Sequence, residues 1–319
     1  MKKILKIVAY FGQLPNMWDL YIASLKENEF LNLLFITDIK ITKALPHNVS
    51  VLNISLKDFF LRVENKLNTT IVDKTPYKIC DLKPAMAYIF PEYLEGYEYW
   101  AYGDIDIVYG NLKRFLRKPF SMNADVISFR EDWLSGPFTI IKNKKLLNEL
   151  FLKSPDFLKI LKLKKYQGFD ECGKKYSQLR EGYTPEEAYN MKIENDILCW
   201  TTLVHRLADN NEILLYTREY IKESLPWGEI IEYRKGKILG AGIIEYALYH
   251  FISYKRYQYH FIPQYKKTPD YYFISPTGVY NENQFKWYKI ISRWRYIKGA
   301  YLTFVKRVKD SYNYRIRKK

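Results

Sequence analysis

The order of apolar segments predicts an α/β fold, a sheet covered by helices. Three observations carry this expectation. Short apolar runs read as buried strands, stretches with helical spacing separate them, and the chain is long enough to bury a sizeable core, with 319 residues of which 48% are hydrophobic.

Ile4 to Phe11 reads as the first strand, ended by Gly12 and Pro15. Lys6 interrupts its apolar run and no small-residue cleavage site follows, so a buried strand fits better than a secretion signal. Trp18 to Lys26 has helical spacing through Leu20, Ile22, Ala23 and Leu25. Leu33 to Thr37 is a second strand, closed by Asp38, and Val51 to Ile54 a third. A helix over Leu56–Leu67 would place Phe59, Phe60, Val63 and Leu67 on one side. Asp81 to Tyr93 is expected to be helical, with Pro84 near its start. Tyr97 to Ala101 then reads as a strand leading into Gly103-Asp104-Ile105-Asp106, with further strands at Ala124–Phe129 and Phe138–Ile141. Asn143–Leu163 and Pro185–Asp209 are expected to be mostly helical. No internal repeat is visible.

Composition bounds the function. Aromatics at 17% and the absence of low-complexity blocks exclude wholesale disorder. The formal net charge of +16 calls for an anionic partner, whether nucleic acid, an anionic membrane face or phosphate-bearing substrates. Three cysteines, Cys80, Cys172 and Cys199, lie far apart and suggest reduced thiols in a cytoplasmic protein. No apolar run approaches the roughly 20 residues that span a bilayer.

Alternate residues of an extended segment face one side, so Asp104 and Asp106 can converge on one point. Paired carboxylates repel unless a cation lies between them, and hard cations such as Mg²⁺ or Mn²⁺ take oxygen ligands and bridge phosphates. On residue types alone, the pair reads equally as a cation site or a solvated turn. An aspartyl-phosphate phosphohydrolase is disfavoured, because Ile107-Val108-Tyr109 follows where a small hydroxyl residue would be needed. Lys78, Asp81 and Lys83 gather at an expected helix start, which suits a diphosphate or an ordinary capped helix. Asp170-Glu171, after Gly168, could take a proton from an acceptor hydroxyl or simply open a helix. His250 lies between Tyr249 and Phe251, as a core histidine would.

The runs Tyr77-Lys78-Ile79-Cys80-Asp81-Leu82-Lys83-Pro84 and Tyr99-Trp100-Ala101-Tyr102-Gly103-Asp104-Ile105-Asp106-Ile107-Val108-Tyr109-Gly110-Asn111-Leu112 resemble a bacterial family of polysaccharide- and capsule-biosynthesis glycosyltransferases with a GT-A-like fold and a DxD motif. Ser135-Gly136-Pro137-Phe138, Phe169-Asp170-Glu171 and Tyr249-His250-Phe251 continue the pattern in order. Pro137 departs from it, where a polar or imidazole side chain is expected, and this puts substrate bonding at 137 in doubt.

The resemblance covers roughly residues 4 to 255 and implies a Rossmann-like central mixed sheet flanked by helices. It implies a nucleotide-sugar site, UDP-linked, with Tyr10, Phe11 and Gly12 at the base and Asp38 as an acceptor. Lys78 and Lys83 would neutralise the diphosphate, with Asp81, Asp104, Ile105 and Gly136 also at the donor. Asp104, Asp106 and His250 would hold Mn²⁺ or Mg²⁺, and Asp170 or Glu171 would be the catalytic base. The implied acceptor is a glycan, lipid-linked or free, and no nucleic-acid partner is expected.

Residues 256–319 then form a basic, aromatic C-terminal extension beyond a catalytic domain of residues 1–255. Its lysines and arginines are interleaved with Trp287, Trp294, Tyr296 and Tyr301, a mixture suited to the headgroup zone of an anionic membrane. That would place the protein in the cytoplasm, at the inner face of the cell membrane. Competing readings are a nucleic-acid-binding protein using this basic aromatic face and a metal-dependent nucleotidyltransferase.

Overall fold

A computed structural model describes residues 1–192, 196–241, 244–256, 260–265, 267–285 and 287–316. The strands are, in chain order, β1 (Ile4–Ala9), β2 (Leu31–Thr37), β3 (Val49–Asn53), β4 (Tyr99–Gly103), β5 (Ile107–Tyr109), β6 (Val126–Ser128), β7 (Phe138–Lys142) and β8 (Leu215–Thr217). They continue with β9 (Ile221–Lys222), β10 (Ile231–Arg234), β11 (Lys237–Leu239), β12 (Glu245–Tyr246), β13 (Leu248–His250), β14 (Tyr271–Ser275) and β15 (Gly278–Tyr280). The chain divides into two compact units, and it passes from one to the other between Ile105 and Asp106.

The first unit comprises residues 1–14, 28–105 and 112–220. Its seven strands run in the order β3-β2-β1-β4-β7-β6-β8. β3, β2, β1 and β4 are parallel neighbours, whereas β7 is antiparallel to both β4 and β6. The sheet is therefore mixed, and helices flank it. Its central strands are near-continuous apolar runs, as a sheet covered on both faces requires. The helix Leu56–Leu67 forms where the periodicity predicts it, with Phe59, Phe60, Val63 and Leu67 buried. Ser55 caps it by accepting from the Asp58 amide at 3.1 Å, and Asn68 closes it in the left-handed region.

The helix expected over Asp81–Tyr93 is different. A 3-10 helix runs from Pro76 to Ala85, and only Met86–Ile89 is α-helical. Pro84 has no amide proton to give an α-helical bond, and Pro91 blocks continuation past Phe90. Lys78, Asp81 and Lys83 thus lie along a 3-10 segment and not at an α-helix start. Asn143–Leu163 is likewise broken into short pieces, Lys145–Asn148, Leu150–Lys153 and Phe157–Leu161, with Pro155 between the last two. Within Pro185–Asp209, helices cover Pro185–Asn190 and Trp200–Asp209.

The second unit comprises residues 15–27, 106–111 and 221–319. It contains the helix Trp18–Lys26, a five-stranded sheet in the order β12-β11-β10-β14-β15, and a small sheet in the order β5-β13-β9. Met17, Leu20, Val108, Tyr249, Phe251 and Ile274 are among the residues of its core. A helix from Tyr288 to Ile316 ends the described chain. No helix among the described residues is long and apolar enough to cross a membrane.

The junction of β4 and β7 is the tightest point near the predicted site. A Cβ on Gly103 would stand 2.0 Å from the Pro137 carbonyl oxygen, a backbone atom that has no freedom to retreat. Gly103→Ala is therefore expected to destabilise the protein by about 1–3 kcal/mol or more, as overpacking does, with urea unfolding as the measurement.

Candidate active site

In the first unit, β1, β2 and β4 all deliver their carboxyl ends to one edge of the sheet. Chain order reverses at this edge: β2 and β3 lie on one side of β1, and β4 on the other. Ligands of open α/β sheets bind in the crevice that such a switch point creates. Gly12 follows β1, Asp38 follows β2 and Asp104 follows β4, so three predicted residues belong to this edge. Gly12 and Asp38 are exposed, and Gly12 adopts φ +116°, open to glycine and strained for other residues. Tyr10 is half-buried, with its hydroxyl donating to the Gln13 carbonyl at 2.8 Å.

Phe11 is a correction to the expected base contact. Its side chain is buried in the core, 5.5 Å from the Phe59 ring, because the apolar face of the Leu56–Leu67 helix draws it inward. Ile105 is buried as well, leaving its side chain no surface for a donor.

Asp104 is half-buried and held from two directions. The buried Lys6 ammonium donates to the Asp104 carbonyl at 2.6 Å, and Lys83 Nζ lies 3.0 Å from Asp104 Oδ1. Lys83 also reaches Asp170 Oδ2 at 3.0 Å and the Gly136 carbonyl at 3.1 Å. Three contacts use the three protons of an ammonium. Burial opposes the charge on Lys83, but Asp104 and Asp170 outweigh it and hold its pKa well above the ordinary lysine value. Lys83, expected to neutralise a diphosphate, here fixes two carboxylates.

Asp170 is buried, and the Tyr166 hydroxyl donates to its Oδ1 at 2.7 Å. Burial raises the carboxyl pKa, with Lys83 and Tyr166 pulling the other way. Glu171 is half-buried, and the Gly136 amide donates to its Oε1 at 3.3 Å. A Cβ at Gly136 would stand 2.5 Å from that oxygen, so a larger residue there would have to displace the Glu171 side chain. At position 137 the contribution is a backbone one, since the Pro137 carbonyl accepts from the Asp104 amide at 3.0 Å.

Lys78 and Asp81 are turned away from this cluster. Lys78 Nζ donates to Asp81 Oδ2 at 2.9 Å, to the Ile160 carbonyl at 2.8 Å and to the Lys165 carbonyl at 2.9 Å. Asp81 in turn accepts from the Gln167 and Phe169 amides, both at 3.0 Å at the nearer oxygen. Both side chains are fully buried. Their expected part in diphosphate binding is corrected to an internal clamp on the loop that carries Asp170.

In the second unit, β5 pairs with β13 so that Ile107 faces His250, and the Phe251 amide donates to the Asp106 carbonyl at 2.9 Å. This register places the buried Asp106 beside the buried His250, with Asp106 Oδ2 3.4 Å from Nε2. Glu223, just past β9, lies 2.9 Å from Nδ1 of the same ring. An ionised carboxylate only accepts, so Nδ1 carries a proton and the ring is fixed in one orientation. Nε2 of the same ring faces Asp106, so the imidazole stands between two carboxylates, and a cation bound beside Asp106 would take Nε2 as a ligand.

Glu223 had no sequence signal, because only tertiary pairing brings it to His250, and Tyr166, four residues before Asp170, lies in irregular chain where no periodicity aims one side chain at the other. Lys6 did carry one: a lysine within an apolar strand needs a buried acceptor.

A family model described as Family of unknown function (DUF6625) matches residues 6–283. No curated protein sequence matches the chain. Mouse xyloside xylosyltransferase 1, in its apo form, is similar in structure with a TM-score of 0.40 and 12% identity, covering 79% of this chain and 97% of that one. Galactosyltransferase LgtC, in complex with donor and acceptor sugar analogs, has a TM-score of 0.32 and 10% identity over 69% of this chain and 75% of that one. The glycosyltransferase GlyE of Streptococcus pneumoniae TIGR4 has a TM-score of 0.28 and 10% identity, covering 71% of this chain and 69% of its own.

Removing the Lys83 charge leaves the buried Asp170 carboxylate without its cation. Lys83→Met is expected to cost about 3–5 kcal/mol of stability, the penalty of breaking a buried ion pair, measured by chemical denaturation.

Proposed function

The chain belongs to the DUF6625 family, and from the groups its two units carry we propose that it is a metal-dependent glycosyltransferase. It would move a sugar from a nucleotide-sugar, UDP-linked, to a glycan acceptor in bacterial surface polysaccharide synthesis. The observation that carries the reading is His250, whose ring is held by Glu223 at Nδ1 and faces the Asp106 carboxylate at Nε2. The sheet edge with its topological switch and the sequence resemblance add support.

In this reading Asp104, Asp106 and His250 hold Mn²⁺ or Mg²⁺, each offering one donor atom. The donor set of two carboxylates and an imidazole suits Mn²⁺ better than Mg²⁺, which prefers oxygen alone. A bound cation supplies charge neutralisation for the departing nucleoside diphosphate. Tyr10, Gly12 and Asp38, at the ends of β1 and β2, receive the nucleoside. Lys83 keeps the Asp104 carboxylate oriented, and Tyr166 with Lys83 keeps Asp170 in place.

Glu171, more accessible than Asp170, is the base. As the acceptor oxygen bonds to the anomeric carbon, the bond to the diphosphate oxygen breaks and the hydroxyl proton passes to Glu171.

Two measurements test this. Mn²⁺ with UDP is expected to raise the melting temperature, by the equivalent of about 2.7 kcal/mol at a hundredfold excess over Kd. Asp106→Asn should abolish that shift, and the absence of a shift with every nucleotide-sugar and metal tried would overturn the proposal. Pyrophosphate release from a nucleoside triphosphate would point to nucleotidyl transfer instead.

Once a donor is found, Glu171→Gln should lower kcat by about 10²–10⁴ while leaving the Mn²⁺–UDP melting shift intact. An unchanged kcat would remove Glu171 from the mechanism.

A further inference from the structure

The C-terminal helix of the second unit has one side packed and one side bare. Along the packed side, Ser292 and Gly299 are buried, Ile291 is half-buried, and the Arg295 guanidinium lies 3.8 Å from the Phe261 ring centroid and 5.2 Å from that of Tyr280. The bare side carries Trp287, Ile290, Trp294, Ile297, Tyr301, Phe304 and Val308, each between 52% and 68% exposed. These residues follow one another at alternating steps of three and four, a spacing that keeps them within an arc of about 100°. The stripe runs for about 30 Å at the helical rise.

A continuous, exposed apolar stripe of this length marks a surface that something covers. The same spacing would suit a coiled-coil seam, so a second copy of the chain is the rival occupant. Charge and side-chain type decide against it. Arg293 and Lys298, both exposed, flank the stripe at the two positions that meet across a parallel homodimer, where they would repel. The helix has eight lysines and arginines against a single acid, Asp310. Four of the seven stripe residues are aromatic, two of them tryptophan, and such rings sit well at the level of lipid headgroups.

We propose that this helix lies on an anionic phospholipid surface, with the Trp287–Val308 stripe in the headgroup–acyl boundary and Arg293 and Lys298 facing the lipid phosphates. The proposal goes beyond the glycosyltransferase reading and does not depend on it.

The test uses the full chain, without metal or nucleotide, and vesicles of phosphatidylcholine with or without phosphatidylglycerol. Co-sedimentation is expected with the phosphatidylglycerol vesicles, falling about tenfold or more in about 1 M salt, where screening shortens the Debye length to about 3 Å. Replacing Trp294, Ile297 and Tyr301 together by serine should weaken binding about tenfold or more with no loss of melting temperature, since all three are exposed. Lys298→Glu separates the two occupants. It should weaken vesicle binding, whereas in a two-copy seam it would place a glutamate opposite Arg293 and tighten the dimer.

Failure to bind vesicles, equal binding to the uncharged ones, or a dimer strengthened by Lys298→Glu would each overturn the proposal. Asp106→Asn is expected to bind vesicles as the unaltered chain does, so loss of the nucleotide response and loss of lipid binding are read separately.

Discussion

Lys83 is the cation on which the order at the carboxyl end of β4 in the first unit depends. Its ammonium sits between Asp104, at the end of β4, and Asp170, in a loop remote in sequence, and donates to the Gly136 carbonyl as well. A charge this deeply buried is tolerated only with matched partners, and here the partners are two carboxylates far apart in sequence. One lysine thus ties a strand end, a loop and the turn before β7 into a single constellation. Lys78 and Asp81 do similar work one step further out, spending a full ion pair on the loop that presents Asp170.

The second unit solves a different problem with the same economy. Pairing β5 with β13 sets which carboxylate meets the imidazole, and Glu223 sets which nitrogen of the ring it meets. Neither role needs a mobile segment. Asp106 and His250 are thus set by the fold itself, and a cation bound there would meet groups already organised, with little ordering left to accompany binding.

The parts of this arrangement that follow local rules were legible in the sequence. Periodicity placed the helix Leu56–Leu67, and the apolar runs placed β1, β2 and β7. The step from an apolar strand into Asp104-Ile105-Asp106 was readable because the side-chain alternation of a strand is local too. What stayed hidden was direction. Lys78, Asp81 and Lys83 form one cluster in sequence, yet the 3-10 geometry that Pro84 imposes separates Lys83 from the other two. Phe11 reads as part of a strand-end motif and is instead core, because the helix carrying Phe59 packs there. Glu223 could not be found, since only tertiary pairing brings it to His250.

The turn at 135–137 has a consequence for how this chain is free to diverge. Gly103 and Gly136 are each closed in by an oxygen, from Pro137 and Glu171 respectively, while residue 137 itself contributes only its carbonyl. Substitution at 137 therefore has to keep both the backbone path and the volume of a buried proline ring. At Gly103 a single methyl group is already too much, since it meets backbone, whereas at Gly136 it would have to push the Glu171 side chain aside.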